Sequence, residues 1–263
     1  QLVYLCPTET QSYDYSGDMY TVETDSINIR VTPNHRLFVS AGERFYTARA
    51  DSLADEPRLI YNNSIDEWKG NSNYMFTLPG KDGLPDKSIT LKEWCVFFGL
   101  WVSKRFVSDD PRISSYFDAI RDVPEWCFTL DKEHSRILLQ EIIGCYFTES
   151  SIVCYSTTSK LMADSVQRLC LHAGIACNYT ETPDRFSLVF SKTAQRPTVY
   201  KEQVHWTPYN GQVYCCTVPT DDGVVFVRRR GKSYWCGNSK SAQKGTIGMI
   251  YSQEDMPFTA EGI

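Results

Sequence analysis

The chain has 263 residues, 42% of them hydrophobic and 13% aromatic, which excludes wholesale disorder and leaves room for one to two domains. Its longest uncharged apolar run, WCVFFGLWV at 94–102, falls well short of the roughly 20 residues a membrane span needs, and no basic-then-apolar leader opens the sequence. A net charge of −5 gives the whole chain no electrostatic reason to bind nucleic acid strongly.

Read in chain order, the two ends look alike and the middle differs. SGDMYTVETDSINIRVTPNHRLFV at 16–39 has a Gly-containing turn, a β-branched or aromatic run, a second turn and another such run. That pattern predicts a hairpin. TLPGKDGLPDKS at 77–88 reads as a linker or surface loop. Segments 91–106, 133–147 and 159–174 carry apolar residues at spacings of three and four and predict helices. The last of these has Ser159 as N-cap and Ala-Gly at its end. CNYTETPDRFSLVFS at 177–191 returns to strands, and NGQVYCCTVPTDDGVVFVRRRGKSYW at 210–235 repeats the hairpin design of the first segment. Its basic cluster RRRGK at 228–232 reads as a solvated hairpin turn. The economical description is a β domain in two distant halves with an α/β insert between them. After Asn238 the composition changes for good.

Ten cysteines are scattered among apolar segments with no C-x-x-C pair. Most of them read as buried thiols in a reducing compartment, nucleus or cytoplasm, and the set supports neither a zinc site nor a disulfide framework.

Three short stretches could carry chemistry. In Thr32-Pro33-Asn34-His35, a hydroxyl and an imidazole three residues apart can flank one peptide carbonyl. In VYCCTV at 213–218, strand alternation lets only one of Cys215 and Cys216 face a given site. At Asn238-Ser239, the Asn carboxamide can attack its own main-chain carbonyl to give a succinimide, and the Ser hydroxyl can accept an acyl group. Taken singly, each is ordinary turn or core chemistry.

Together they carry a resemblance. NGQVYCCTVPTDDGVVFVRRRGKSYWCGNS is similar to the C-terminal splicing motifs of an intein, and VTPNHRLFV to the intein motif built on Thr-x-x-His. SKLMADSVQRLCLHAG and FFGLWVSKRF resemble helices of a LAGLIDADG homing endonuclease, ILLQEIIGCYF more distantly so. QKGTIGMIYSQEDMPFTAEGI is similar to a catalytic-centre segment of the second-largest subunit of RNA polymerase II-type enzymes. The resemblance implies a mainly β Hint horseshoe with an inserted α/β endonuclease-like domain. The expected division is 1–50 and 201–238 for the splicing domain, 51–200 for the insert and 239–263 for the host polymerase segment. It implies Thr32, His35, Cys215, Asn238 and Ser239 as catalytic residues, Gly237-Asn238-Ser239 as the splice junction, and Lys244 as the match to a polymerase active-centre lysine. No cofactor and no metal are expected. A homing endonuclease, or a plain polymerase-subunit fragment, is the alternative.

The chain departs from these families at named positions. Lys104 stands near the first metal-binding acid of the nuclease, and Cys145 or Tyr146 near the second. An inactive insert with at most weak DNA binding is therefore expected. Gly237 replaces the usual penultimate His, His205 falls too early to substitute, and an imidazole restored at 237 is expected to speed cleavage. QLVYLCPTETQSYDYSGD lacks the usual opening nucleophile, with Cys6 in another context. Either a fragmentary reading frame or a split intein partnered in trans by a short N-terminal piece would account for it. SKSA precedes QKGT where related polymerases read Ser-Arg-His-Gly.

Overall fold

A computed structural model describes residues 1–72, 75–103, 122–145, 152–191 and 196–238. The chain runs β1 (Glu9–Glu23), β2 (Asn28–Val31), β3 (Arg36–Ser40), β4 (Tyr46–Arg49), α1 (Ala50–Leu53) and β5 (Arg58–Tyr61). It continues with β6 (Met75–Leu78), β7 (Lys87–Thr90), α2 (Leu91–Val102), α3 (Lys132–Ile143), β8 (Ile152–Thr157), α4 (Lys160–His172), β9 (Ala176–Glu181) and β10 (Phe186–Ser191). It closes with β11 (Thr198–Tyr200), β12 (Val204–Thr217), β13 (Val224–Arg229) and β14 (Lys232–Gly237). Two compact units result: Gln1–Leu2 with Ile65–Thr193, and Val3–Ser64 with Ala194–Ile263.

The terminal unit is made of strands from both ends of the sequence. Gln11, Tyr13 and Tyr15 alternate with exposed Ser12, Asp14 and Ser16, the period-2 signature of a strand with one covered face. β1 pairs antiparallel with β12 from Glu9 opposite Thr217 to Val22 opposite Val204. At Tyr20–Glu23 it also pairs with β2, and the side chains of Met19–Val22 are buried on both faces. A second sheet has the order β11-β5-β3-β4. β13 and β14 form a hairpin whose turn residues Arg230 and Gly231 both have positive φ, 47° and 74°, as a two-residue strand connection requires. The core holds Tyr20, Ile29, Val31, Leu37, Leu59, Tyr61, Val227, Tyr234 and Cys236, with Tyr61 and Tyr234 edge to face at 6.0 Å. The basic turn is not the freely solvated cluster that its composition suggests. Glu23 lies 3.7 Å from Arg229 and 3.4 Å from Arg230, Arg229 also donates to Asn28, and burial lowers the Arg229 pKa.

The middle unit is mixed. TLPGKDGLPDKS forms a hairpin and not a linker: β6 pairs with β7, and Asp82 and Gly83 at positive φ make the turn. α2 begins at a reciprocal Thr90–Glu93 capping box, α3 at Asp131 and α4 at Ser159. Each cap satisfies amide groups that a first turn leaves unpaired. Gly144 and Gly174 end α3 and α4 at φ 73° and 69°, where a side chain would be strained. α2 and α3 pack closely at Gly99, where a Cβ would lie 2.4 Å from that of Glu141. α4 covers the sheet β8-β10-β9, burying Leu188, Phe190, Tyr179 and Val153 against Val166, Leu169 and Cys170. The opposite face shows Cys154, Ser156, Asn178, Thr180, Ser187 and Val189, all neutral.

The division falls at Ile65 and Thr193, inside the expected 51–200. The reason is β11 pairing with β5, reinforced by Tyr61 N–H donating to Pro197 O at 2.8 Å. Those strands belong to the terminal unit, and they bring the two ends of the intervening segment together. Replacing 65–193 by a short Gly/Ser loop therefore costs little closure entropy. We expect the shortened protein to unfold in one cooperative transition, measured by calorimetry. A polypeptide lacking a cooperative transition would show that the terminal unit has no independent core.

Candidate functional site

β2 ends at Val31 and β3 starts at Arg36, so Thr32–His35 is the connection between them. His35 N–H donates to Thr32 O at 3.0 Å, closing the turn that Pro33-Asn34 favours. The start of α1 clamps it from outside: Ala50 N–H donates to His35 O and Asp51 N–H to Pro33 O, both at 2.8 Å. Thr32 and His35 are buried, and burial pushes the His35 imidazole down to about 4. His35 is therefore neutral at physiological pH, able to accept at one nitrogen and donate at the other.

β14 runs to this turn. Trp235 fixes its position, its N–H donating to Asn62 O at 2.7 Å and its indole Nε1 to Ser64 O at 2.8 Å. The Cys236 Sγ then lies 3.2 Å from His35 Nε2. At Gly237 the strand lies so close to β3 that a Cβ would sit 2.7 Å from Arg36 O and 3.2 Å from Arg36 Cβ. A histidine at 237, expected to speed cleavage, would have to displace β3, because the backbone of β3 occupies the space any side chain needs. Gly237→Ala should lower stability by about 1–3 kcal/mol, read as a reduced midpoint in urea.

Asn238 follows, buried. Its N–H donates to Gly223 O at 2.6 Å. Its carboxamide lies against the end of β12: Nδ2 donates to Cys216 O and lies 3.4 Å from Cys216 Sγ, and Cys215 Sγ donates to Oδ1 at 3.3 Å. Both cysteines therefore reach one side chain, contrary to the alternation argument. Alternation governs the two faces of a strand. The Asn238 amide instead approaches the strand's edge, where the Cys216 carbonyl points, and the side chains from both faces can bend to it. Burial raises the Cys216 thiol pKa, Cys215 adds to the rise, and the Asn238 hydrogen bond opposes it. Cys216 stays protonated at neutral pH.

The turn and the strand end thus belong to one unit, connected through β14. Cys236, Gly223 and the Cys216 carbonyl were not singled out by sequence reasoning. Cys236 had a signal, two residues before Asn238 in WCGN, but the other two contacts are main-chain and leave no side-chain signature. His205 is exposed and paired with Thr21, ten residues up β12 from Cys215 and so roughly 33 Å along the strand. It is remote, as its place in the sequence implied. Cys6 is exposed ahead of β1. Cys145, half-buried, lies just past the end of α3. Ser239, Lys244, Lys104 and Tyr146 lie outside the described residues. Among the described residues, no group of three or more His, Cys, Asp and Glu side chains could hold a metal ion. No helix among them is long and apolar enough to cross a membrane.

This arrangement suits amide chemistry without a cofactor. For Asn238 Nδ2 to attack the Asn238 carbonyl carbon, the amide nitrogen must regain its lone pair. A thiol donating to Oδ1 and a carbonyl accepting from Nδ2 both move the carboxamide toward the imidic form, whose nitrogen is nucleophilic.

Residues 237–263 match the family described as RNA polymerase Rpb2, domain 6. The chain is 23% identical to "DNA-directed RNA polymerase subunit beta C-terminal section" of Stigeoclonium helveticum, over 96% of its own length and 34% of the relative's. It is also 23% identical to "ATP-dependent Clp protease proteolytic subunit" of Chlamydomonas moewusii, over 66% of its length and 24% of the relative's. The chain thus spans about a third and a quarter of the lengths of these relatives. At its C-terminal end it carries a segment like an RNA polymerase beta subunit.

Proposed function

We propose that residues up to Asn238 are a self-excising protein-splicing element of the Hint type with an inserted, inactive nuclease-like domain. From Ser239 the chain is the polymerase sequence that the element interrupts. The observation that carries this is the Asn238 carboxamide held between Cys215, Cys216 and the Cys216 carbonyl, at the start of the polymerase-like segment 237–263. Cyclisation forms the Nδ2–C bond and breaks the C–N bond to Ser239, whose nitrogen leaves as an amine with a proton. Thr32 and His35 would polarise the upstream junction, presented by an N-terminal piece on the same chain or in trans. Ser239 would receive the acyl group before Asn238 cyclises.

The pair of relatives supports a portable element. Their printed names are unrelated, yet the match to the protease subunit takes in 66% of this chain, far more than residues 237–263 can hold. Sequence shared by unrelated hosts is expected of an insertion that moves between them. Ten cysteines, none of them in a disulfide, fit a reducing compartment. DNA cleavage by the insert is disfavoured by Lys104 and Cys145 or Tyr146 standing near the positions of the metal-binding acids, and the described positions on the open sheet face are neutral.

A second reading, a plain fragment of a polymerase beta subunit, is favoured by the match at 237–263. Intact-mass spectrometry of the purified chain separates the two. The splicing reading expects a peptide beginning at Ser239 to appear with time. A chain that stays whole through prolonged incubation would favour the second reading.

A further inference from the structure

We propose that Cys236 is a positioning residue for His35, its thiol donating to Nε2 and thereby fixing the imidazole as the Nδ1–H tautomer. The inference rests on the splicing reading for its purpose, though not for its geometry. Cys236 Sγ lies 3.2 Å from His35 Nε2, and both residues are buried. Two neutral groups can share that contact in either direction. The thiol has one hydrogen, and its other neighbour, Arg36 O, lies 3.9 Å away, so the imidazole is the better acceptor.

The contact is held from several sides. β13 pairs with β14, placing Cys236 opposite Val225. Trp235 anchors the strand to Asn62 and Ser64. The absence of a side chain at Gly237 lets β14 come close to Arg36. On the other side, the Thr32–His35 hydrogen bond and the Ala50 amide fix the backbone of the imidazole. With Nε2 occupied, Nδ1–H is the one ring group left to donate to a carbonyl or to a leaving nitrogen. A neutral imidazole in water prefers hydrogen on Nε2, so the protein selects the less common form. The residue two before Asn238 thus sets the chemistry of the turn expected to act on the upstream junction. A strand displaced after cleavage would release that control.

The test is long-range 1H–15N spectroscopy on the full chain labelled at histidine. The four histidines are assigned with His35→Gln as reference. We expect His35 in the wild-type chain to carry its hydrogen on Nδ1, Cys236→Ala to move it to Nε2, and Cys236→Ser to restore it to Nδ1. Hydrogen on Nε2 in the wild-type chain would overturn the proposal, as would an unchanged Nδ1–H tautomer in Cys236→Ala. Should Cys236→Ala fail to fold, the wild-type spectrum and Cys236→Ser still decide. Because this signal needs no bond cleavage, a correct tautomer in a chain that never releases its C-terminal peptide would count against splicing alone.

Discussion

Replacing Asn238 with alanine will abolish release of the peptide that begins at Ser239, because no other group can form the five-membered imide at that position. The Asn238 backbone N–H would still donate to Gly223 O, so the strand end need not move. Asn238→Asp tests the same point differently: a carboxylate at neutral pH cannot donate to Cys216 O, whose lone pairs repel it, and it is a weaker nucleophile toward its own carbonyl. Cys215→Ala should slow release on the order of 100-fold, the usual scale for a lost proton donor. Cys215→Ser, which keeps a donor, should recover part of it. Chromatography of timed samples gives all four rates. Release from Asn238→Ala at the wild-type rate would mean that the cleavage is proteolysis by another agent.

Acidification should weaken both units, each through one buried histidine. Burial holds His35 down to about 4, and burial with help from Arg168 holds His172 down to about 3. His172 is fully buried, stacked on Trp68 at 4.3 Å and edge-on to Phe128. Both imidazoles titrate near 6.5 once unfolded, so below that pH the unfolded chain binds more protons. Stability is then fully present above about pH 6.5 and falls as the pH drops toward each folded value. The slope is about 1.4 kcal/mol per pH unit per histidine. The loss would reach about 3 kcal/mol by pH 4 in the terminal unit, a large share of a typical 5–15 kcal/mol. Urea midpoints at pH 7.5, 6.0 and 5.0 measure it. His35→Gln should flatten the dependence of its own unit above pH 5, where most carboxylates remain ionised. An unchanged slope would mean that His35 is solvated.

The signals that could be read from sequence were those that local chemistry writes into it. Ser159, Gly174 and the apolar spacing between them define α4 almost residue by residue, since caps and periodicity are properties of contiguous residues. Segment 177–191 likewise reads as strands, and it forms β9 and β10. The pairing of Glu9–Glu23 with Val204–Thr217 was beyond that reach. Nothing in either segment names its partner, and register is decided by burial across the whole unit. The same holds for the site. Thr32, His35, Cys215, Gly237 and Asn238 could be picked out as residue types in suggestive spacings. The role of the Cys216 carbonyl and the steric need for glycine at 237 are backbone facts. Nothing in the sequence ties Cys236 to His35, because their contact joins residues 201 apart.

The most direct test of the account is the chemical form of residue 238 immediately after cleavage. Tandem mass spectrometry of the C-terminal peptide of the larger product, quenched in mild acid to slow imide hydrolysis, reads it directly. The account predicts an aminosuccinimide, one water lighter than a peptide ending in free Asn238, converting later to the asparagine and isoasparagine acids. A free asparagine carboxylate from the earliest time point, with no imide on the way, would contradict it.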